Sequence, residues 1–297
     1  MSVDFEKQVT DIVATIEPEY TLAPETIPIT VSALEEVNRR YGPDSDNPLP
    51  FHDAPHSLGV TRRGVILTNI LWPYINPKHQ RKLFDAVMIG GATHDLEQGL
   101  EPHIGERAST EWAIARVTEA DGPLNTKIFK KRLMLGNLAT AFEVDRAGRL
   151  VQINLLRGSR DPIKFIMGAA DMGGIAMEGP DRMWHDGTGI YLEKDSDPTA
   201  RGLSKALPEQ ERFMRQRFND ERVKSEIAFY FPRNQEAIYQ DLYDAFHENI
   251  VQSVILARKL GEKPELQATV ERAVCDPMAG DRIRLPSMIA KLIHKIV

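Results

Sequence analysis

Two segments of the chain bring histidine and aspartate together at short spacing. In FHDAPHSLGV, His52 and His56 are four residues apart, which places both imidazoles on one face of a helix. In GGATHDLEQG, an apolar stretch with two glycines runs into the adjacent residues His94 and Asp95. Neighbouring helical residues diverge by about 100 degrees, so this doublet could approach one metal ion from two sides or bridge two ions.

A third segment, FIMGAADMGGIAM, is apolar except for Asp171. Burying an isolated carboxylate is unfavourable unless a cation or hydrogen-bond donors compensate it. Asp171 is therefore either a helix cap, a partner of an arginine such as Arg107, or a ligand of a metal ion.

Each segment alone has an ordinary structural interpretation, because a histidine near an apolar helix is more often structural than functional. Their order along the chain favours a functional interpretation. A histidine pair opens one helix, a His–Asp doublet ends the next, and an aspartate lies inside a later apolar helix. Imidazole and carboxylate ligands suit Mn, Fe, Mg, Ni or Zn. We therefore expect one or two divalent metal ions, whose identity the sequence does not distinguish.

The elements that position these residues are helices, because hydrophobic residues recur at helical period along most of the chain. Asp53 is a suitable N-cap for the helix that carries His56, and Pro55 suits its first turn. VQINLL at 151–156 fits either a short strand or a helix start. The sequence predicts an all-α fold with helices near 4–16, 29–41, 53–71, 77–94, 103–120, 125–146, 161–177, 203–231, 234–260 and 264–274.

One helical domain accounts for nearly the whole chain. We predict an N-terminal helical extension over 1–50, the main domain over 51–260, and a C-terminal helical segment over 261–297 packed on the same domain. The segment 178–202 is the least regular, rich in Gly, Asp and Pro. Such an insert is either a lid or binding loop or a surface excursion.

Composition narrows the function classes. The chain has 297 residues, 42% of them hydrophobic and 27% charged, with a net charge of −6. This gives no strong nucleic-acid signal, because a basic surface is missing. The only cysteine is Cys275, and no apolar run approaches the length of a membrane span. We expect a cytoplasmic protein without an internal disulfide or membrane association.

The order His56, His94-Asp95, Asp171 resembles the H…HD…D signature of HD-domain metal-dependent phosphohydrolases. Within that superfamily, three segments resemble motifs of the class I cyclic-nucleotide phosphodiesterases: PFHDAPHSLGV is similar to YHNxxHAxxV, ATHDLEQG to HDxxHPG, and GAADMGG to (A/C)D(L/I). ERFMRQRFNDER at 211–222 is loosely similar to EFFxQGDxE. The resemblance covers roughly residues 50–230 and implies an HD-domain helical bundle.

The resemblance also implies roles for individual residues. The metal ligands would be His56, His94, Asp95 and Asp171, with Asp95 also reaching a second ion. His52 would be the general acid, kept protonated by Asp53 or Glu106. The expected substrate-binding residues are His103, Glu106 and Arg107.

Three positions depart from the phosphodiesterase pattern. Gln98 stands where the second histidine of HDxxH belongs, which weakens the case for a second metal. Phe51 replaces the tyrosine before the first histidine, and Asp53 replaces the asparagine after it. The glutamine that would grip a purine is not recognisable, so the resemblance does not identify the substrate.

These patterns predict hydrolysis of a phosphate ester by a metal-activated water, with a small phosphorylated substrate such as a phosphodiester or a nucleotide. One alternative is a phosphomonoesterase or nucleotidase on the same site. Another is a non-catalytic HD module that binds a nucleotide or a protein partner, which would be expected to lack a metal ligand. Oxygen-dependent chemistry at a di-iron centre ranks last, since it needs more histidines. The sequence is compatible with a homodimer but does not fix the oligomeric state.

Overall fold

The computed structural model describes residues 4–101, 103–144, 150–152, 154–180, 182, 186, 189–190, 193, 212 and 217–261. Within these ranges the chain is helical apart from one two-stranded sheet, which confirms the all-α fold class. The α-helices are α1 (Phe5–Val13), α2 (Thr26–Tyr41), α3 (Ala54–Leu71), α4 (Pro77–Gln80), α5 (Leu83–Thr93), α6 (Ile104–Ala120), α7 (Lys127–Leu138), α8 (Ile163–Met172), α9 (Gly174–Glu178), α10 (Asp220–Tyr230) and α11 (Gln235–Gly261).

Helix α3 begins and ends where its local sequence predicts. Asp53 is the N-cap, with extended backbone, and its carboxylate accepts a hydrogen bond from the backbone N–H of His56 at 2.9 Å. Pro55 occupies the first turn, where it removes no helical hydrogen bond. The helix passes at Leu71 into a short 3-10 turn, Trp72–Tyr74. His52 therefore lies just outside the helix, over its first turn.

Helix α5 is the centre of the fold. All of its residues are buried, as expected of a helix that is apolar on every side. It packs against α2, α3, α7 and α8. The sequence predicts one helix from Pro77 to His94, but the chain breaks before α5, where Lys82 adopts a left-handed backbone with φ of 58°.

Small residues let α3 and α5 approach closely beside the candidate site. A Cβ atom added at Gly91 of α5 would lie 2.7 Å from the Cα and 2.9 Å from the backbone nitrogen of Thr61 on α3. Because the obstruction is backbone, a larger residue would force the helices apart. This contact brings the end of α5 next to the first turns of α3.

Helix α8 packs against α3, α5 and α7 and carries the third chemical segment to the same place. The predicted helix over 161–177 is present, but it is divided at Gly173 into α8 and the short α9. Asp171 lies in the last turn of α8, next to that division.

The prediction of one helix over 125–146 is wrong beyond Leu138. The hydroxyl of Thr140 donates to the carbonyl of Asn137 at 2.7 Å, so a side chain satisfies a carbonyl at the end of α7. The chain then forms strand β1 (Phe142–Val144), which pairs antiparallel with β2 (Leu150–Gln152). The strand interpretation of 151–156 is correct for its first two residues.

The N-terminal helices belong to the same hydrophobic core as the rest. The buried face of α1 consists of Phe5, Val9 and Ile12, and α2 packs directly against α5. None of the described helices is long and apolar enough to cross a membrane. Residues 262–297, with the helix predicted at 264–274, lie outside the described ranges, as does the start of the one predicted at 203–231.

Candidate metal centre

Three helices bring four distant side chains to one point. His56 comes from the first turn of α3, His94 and Asp95 directly follow α5, and Asp171 comes from the last turn of α8. One ligand atom from each side chain lies within 4.8 Å of the others. The structure thus brings together all four residues that the sequence predicts as metal ligands.

The ligand atoms are close enough to surround a single ion. His94 Nε2 lies 2.8 Å from Asp95 Oδ2 and 3.5 Å from Asp171 Oδ1. His56 Nε2 lies 3.3 Å from Asp95 Oδ2 and 3.5 Å from Asp171 Oδ1. The two Nε2 atoms are 3.2 Å apart.

These separations match what coordination would require. Ligand nitrogens and oxygens at about 2.0–2.2 Å from an ion, the usual range for zinc, are separated by roughly 3–3.5 Å. Two imidazole nitrogens facing each other at 3.2 Å have no acceptable pairing unless one carries a proton or both face a cation. The residues therefore fit a divalent metal ion, and their mixed nitrogen and oxygen donors are compatible with several metals.

The imidazole of His94 is oriented by the helix that precedes it. Its Nδ1–H donates to the carbonyl of Gly91 at 2.9 Å, which directs Nε2 toward the two carboxylates. Metal-ligating histidines commonly use such a hydrogen bond to fix ring and tautomer. His56 is held at its backbone by Asp53, and the ring of Phe51 packs on its imidazole at 4.2 Å.

The electrostatics show that the carboxylates need positive charge. Burial opposes ionisation of both, but the neighbouring imidazoles outweigh it and lower the pKa of Asp171 to about 2 and that of Asp95 well below its usual range. Burial likewise opposes protonation of His94, yet Asp95 and Asp171 raise its pKa to about 10. Without a metal ion, the proton on His94 offsets the charge of the carboxylates; a bound cation would replace it.

His52 lies beside this cluster and is held by Glu193. Its Nδ1 is 2.5 Å from Glu193 Oε2, and the backbone N–H groups of Phe51 and His52 donate to Oε1 at 2.6 and 2.7 Å. Burial would lower the pKa of His52, but the charges of Asp95, Glu193 and Asp171 raise it.

Sequence reasoning missed Glu193. The expectation assigned the partner of His52 to Asp53 or Glu106, but Asp53 caps α3 and Glu106 accepts the backbone N–H of His103 at 2.7 Å. Glu193 is 141 residues from His52, so no local pattern connects them. The only signal was its position in the irregular segment 178–202.

The predicted substrate-binding residues lie at the start of α6. Glu106 is half-buried, and burial together with the charge of Asp95 raises its pKa. His103 Nδ1 lies 3.0 Å from the side-chain nitrogen of Asn154, and Arg107 is exposed. The roles of these residues in substrate binding stay predictions.

Gln98, one of the three positions that depart from the expected phosphodiesterase pattern, takes a structural role. Its side-chain amide donates to the carbonyl of Asp95 at 3.0 Å, and its backbone N–H donates to the hydroxyl of Tyr41 at 3.1 Å. Both bonds fix the turn that presents Asp95.

No protein-family model, curated protein or solved structure matches this chain.

Proposed function

We propose that the protein is a metal-dependent hydrolase of phosphate esters, with a phosphodiester or a nucleotide as substrate. The observation that carries the proposal is the convergence of His56, His94, Asp95 and Asp171 within 4.8 Å, next to a fifth residue, His52, that is not part of the ligand group. The similarity of these segments to HD-domain phosphohydrolase motifs supports the same reaction class.

The four ligands would hold the ion, and the bound ion would activate water for attack and neutralise charge on the phosphoryl oxygens. Asp95 follows α5 and Asp171 belongs to α8, and both carboxylates lie next to the imidazoles of His56 and His94. The fold therefore holds all four donors in place before any substrate binds. Preorganised donors of this kind avoid the reorganisation that would otherwise slow the reaction.

His52 would protonate the leaving oxygen as general acid. Glu193 accepts from Nδ1, which leaves Nε2 as the nitrogen that can deliver a proton to a substrate. The carboxylate also stabilises the imidazolium form that a general acid needs.

The first experiment combines metal analysis with two chromogenic substrates. Purified wild type, supplied in turn with Mn, Fe, Mg, Ni and Zn, is assayed with bis(p-nitrophenyl) phosphate and with p-nitrophenyl phosphate. We expect a near-stoichiometric metal content and turnover of at least one substrate, both lost in Asp95→Ala. The relative rates separate phosphodiester from phosphomonoester hydrolysis.

The matched control is Asp11→Ala, which removes an exposed carboxylate on α1. This variant should retain metal and activity. If wild type binds none of the five metals and hydrolyses neither ester, the catalytic proposal is wrong, and a non-catalytic module becomes the better hypothesis.

A second experiment tests whether His52 is the general acid by comparing substrates whose leaving groups differ in their need for a proton. General-acid assistance is worth about 10²–10⁴-fold when the leaving group needs a proton. His52→Asn should therefore lose much more activity with an ester that releases an alkoxide than with one that releases p-nitrophenolate. Equal losses with both esters would show that His52 does not donate this proton.

A further inference from the structure

A cavity lies between α8, α9, α10 and α11. It has a volume of about 210 Å³. Its lining is mainly apolar and includes Phe165, Ala169, Met177, Leu242, Phe246 and Ile250. On α11, the rings of Tyr243 and His247 stack at 4.1 Å and line the same cavity.

The cavity and the metal centre use different faces of α8. Phe165, Ala169 and Gly173 recur every four residues and line the cavity. Asp171 is two residues from both Ala169 and Gly173, and two helical residues are separated by about 200 degrees. Asp171 therefore projects from a different face of α8 than the residues that line the cavity, although its negative charge still acts on Arg217.

A buried guanidinium gives this apolar cavity one polar anchor. Arg217 lines the cavity and its side chain is only 4% exposed. Its terminal nitrogen contacts Glu226 at 3.1 Å, whereas Nε has no hydrogen-bond partner within the described ranges. A buried donor without a partner is unfavourable, and an added acceptor would relieve it.

Charges of both signs surround this anchor. Glu226 is shared between Arg217 and Arg222, whose Nε lies 3.0 Å from it, so two cations face one buried carboxylate. Burial lowers the pKa of Arg217, which indicates incomplete compensation, but a guanidinium stays protonated at neutral pH. The other acidic residue of the lining, Asp220, is exposed at the rim.

We propose that this cavity binds a small organic carboxylate with a flat apolar body. The carboxylate would accept from Arg217 Nε, and the body would fill the space between α8 and the aromatic side chains of α11. A cavity of about 150 Å³ accommodates benzene, so the larger volume here suits an aromatic ring system of one to two rings.

The test is direct titration by calorimetry, with 2-naphthoate as the probe and 2-naphthalenemethanol as its uncharged analogue. We expect saturable 1:1 binding of the carboxylate and at least about tenfold weaker binding of the alcohol. Ala169→Leu, which fills the cavity from α8, should weaken 2-naphthoate binding at least about tenfold. Ala115→Leu makes the same change at an exposed position of α6 and should leave binding unchanged.

A paired variant tests the anchor without leaving a buried carboxylate unbalanced. Arg217→Met with Glu226→Met replaces the ion pair by apolar side chains of similar length, a change that buried pairs tolerate. If its circular dichroism matches wild type, it should bind the carboxylate and the alcohol equally. Equal affinities in wild type, unchanged binding in Ala169→Leu, or no saturable binding would each overturn the proposal. Because binding is measured without turnover, failure of the hydrolase proposal would not affect this result.

Discussion

The two ends of α5 carry carboxylates with opposite surroundings, Asp85 fully buried and Asp95 half-buried. Asp85, in the first turn, accepts hydrogen bonds from the hydroxyl of Tyr20, the backbone N–H of Ala23 at 2.8 Å and the hydroxyl of Thr26. These donors come from the chain around the start of α2, so the protein itself completes the surroundings of Asp85.

Asp95, just after the other end, faces imidazoles and is packed close to a second carboxylate. Its Oδ2 lies near His56 Nε2 and His94 Nε2, and both of these nitrogens also face Asp171. Two carboxylates sharing two imidazoles are balanced only by added protons or by a cation. Burial alone therefore does not identify a functional carboxylate. What distinguishes Asp95 from Asp85 is that its neighbours are imidazoles and a second carboxylate, not neutral hydrogen-bond donors.

The largest expected effect on stability comes from removing the carboxylate of Asp85, whose hydrogen bonds all come from the protein. Asp85→Ala leaves three donors without their acceptor, and hydrogen bonds to a charged group contribute about 1.5–3 kcal/mol each. We expect the free energy of unfolding, measured by urea denaturation, to fall by about 3–5 kcal/mol. The folded fraction should still bind metal at the wild-type stoichiometry.

The matched control for stability is Asp11→Ala, because Asp11 is exposed and pairs only with Lys7 in the same helix. This change should alter the free energy of unfolding by no more than about 0.5 kcal/mol. An Asp85→Ala protein that folds stably but loses metal would contradict the division between the two ends of α5.

At the metal centre we expect the opposite: a substitution should weaken metal binding strongly and change the stability of the metal-free protein less. Asp171→Asn replaces a charged ligand by a neutral amide, and even changes outside the ligand shell lower metal affinity by about 10–100-fold, so we expect a loss above 100-fold. A metal at about 100 times its Kd stabilises the wild type by about 2.7 kcal/mol. Addition of metal should therefore raise the Tm of wild type but not of Asp171→Asn.

Without metal, Asp171→Asn should lose some stability, because the lowered pKa of Asp171 means that its charge stabilises the folded state, but less than Asp85→Ala, because the side chain keeps its shape. A metal-free variant that unfolds far more easily would show that Asp171 acts structurally, as Asp85 does.

The sequence predicted those parts of the site that local chemistry determines. The cap Asp53, Pro55 in the first turn and the end of α3 follow from neighbouring residues, and so does the His94-Asp95 doublet after an apolar helix. Helices α3, α5 and α8 could therefore be anticipated, together with the four candidate ligands that they position.

Long-range contacts decided the rest. The strand Phe142–Val144 forms because it pairs with β2, and no local signal separates it from α7. Glu193 reaches His52 across 141 residues of chain, and Arg217 becomes an anchor only where α8 and α11 enclose it. Such contacts depend on tertiary packing rather than on periodicity.

Glu193 shares features with both Asp85 and Asp95. Like Asp85 it has a full set of donors, two of them backbone N–H groups, but its third partner is the imidazole of His52. Burial would raise the pKa of Glu193, yet His52 outweighs burial and lowers it, so the carboxylate is charged. Glu193→Gln keeps an oxygen for the backbone donors, removes the charge, and places an amide NH2 donor instead of an acceptor opposite Nδ1 of His52.

The loss of charge lowers the pKa of His52, because Glu193 is one of the groups that raise it. If protonated His52 is the general acid, activity is lost as pH rises through that pKa. The alkaline limb of the pH–rate profile should therefore move to lower pH, and kcat near neutrality should fall about tenfold. Metal content and unfolding free energy should be nearly unchanged. A uniform loss of activity at every pH would instead mean that Glu193 only supports the backbone at Phe51, which would place it with Asp85 rather than with the metal centre.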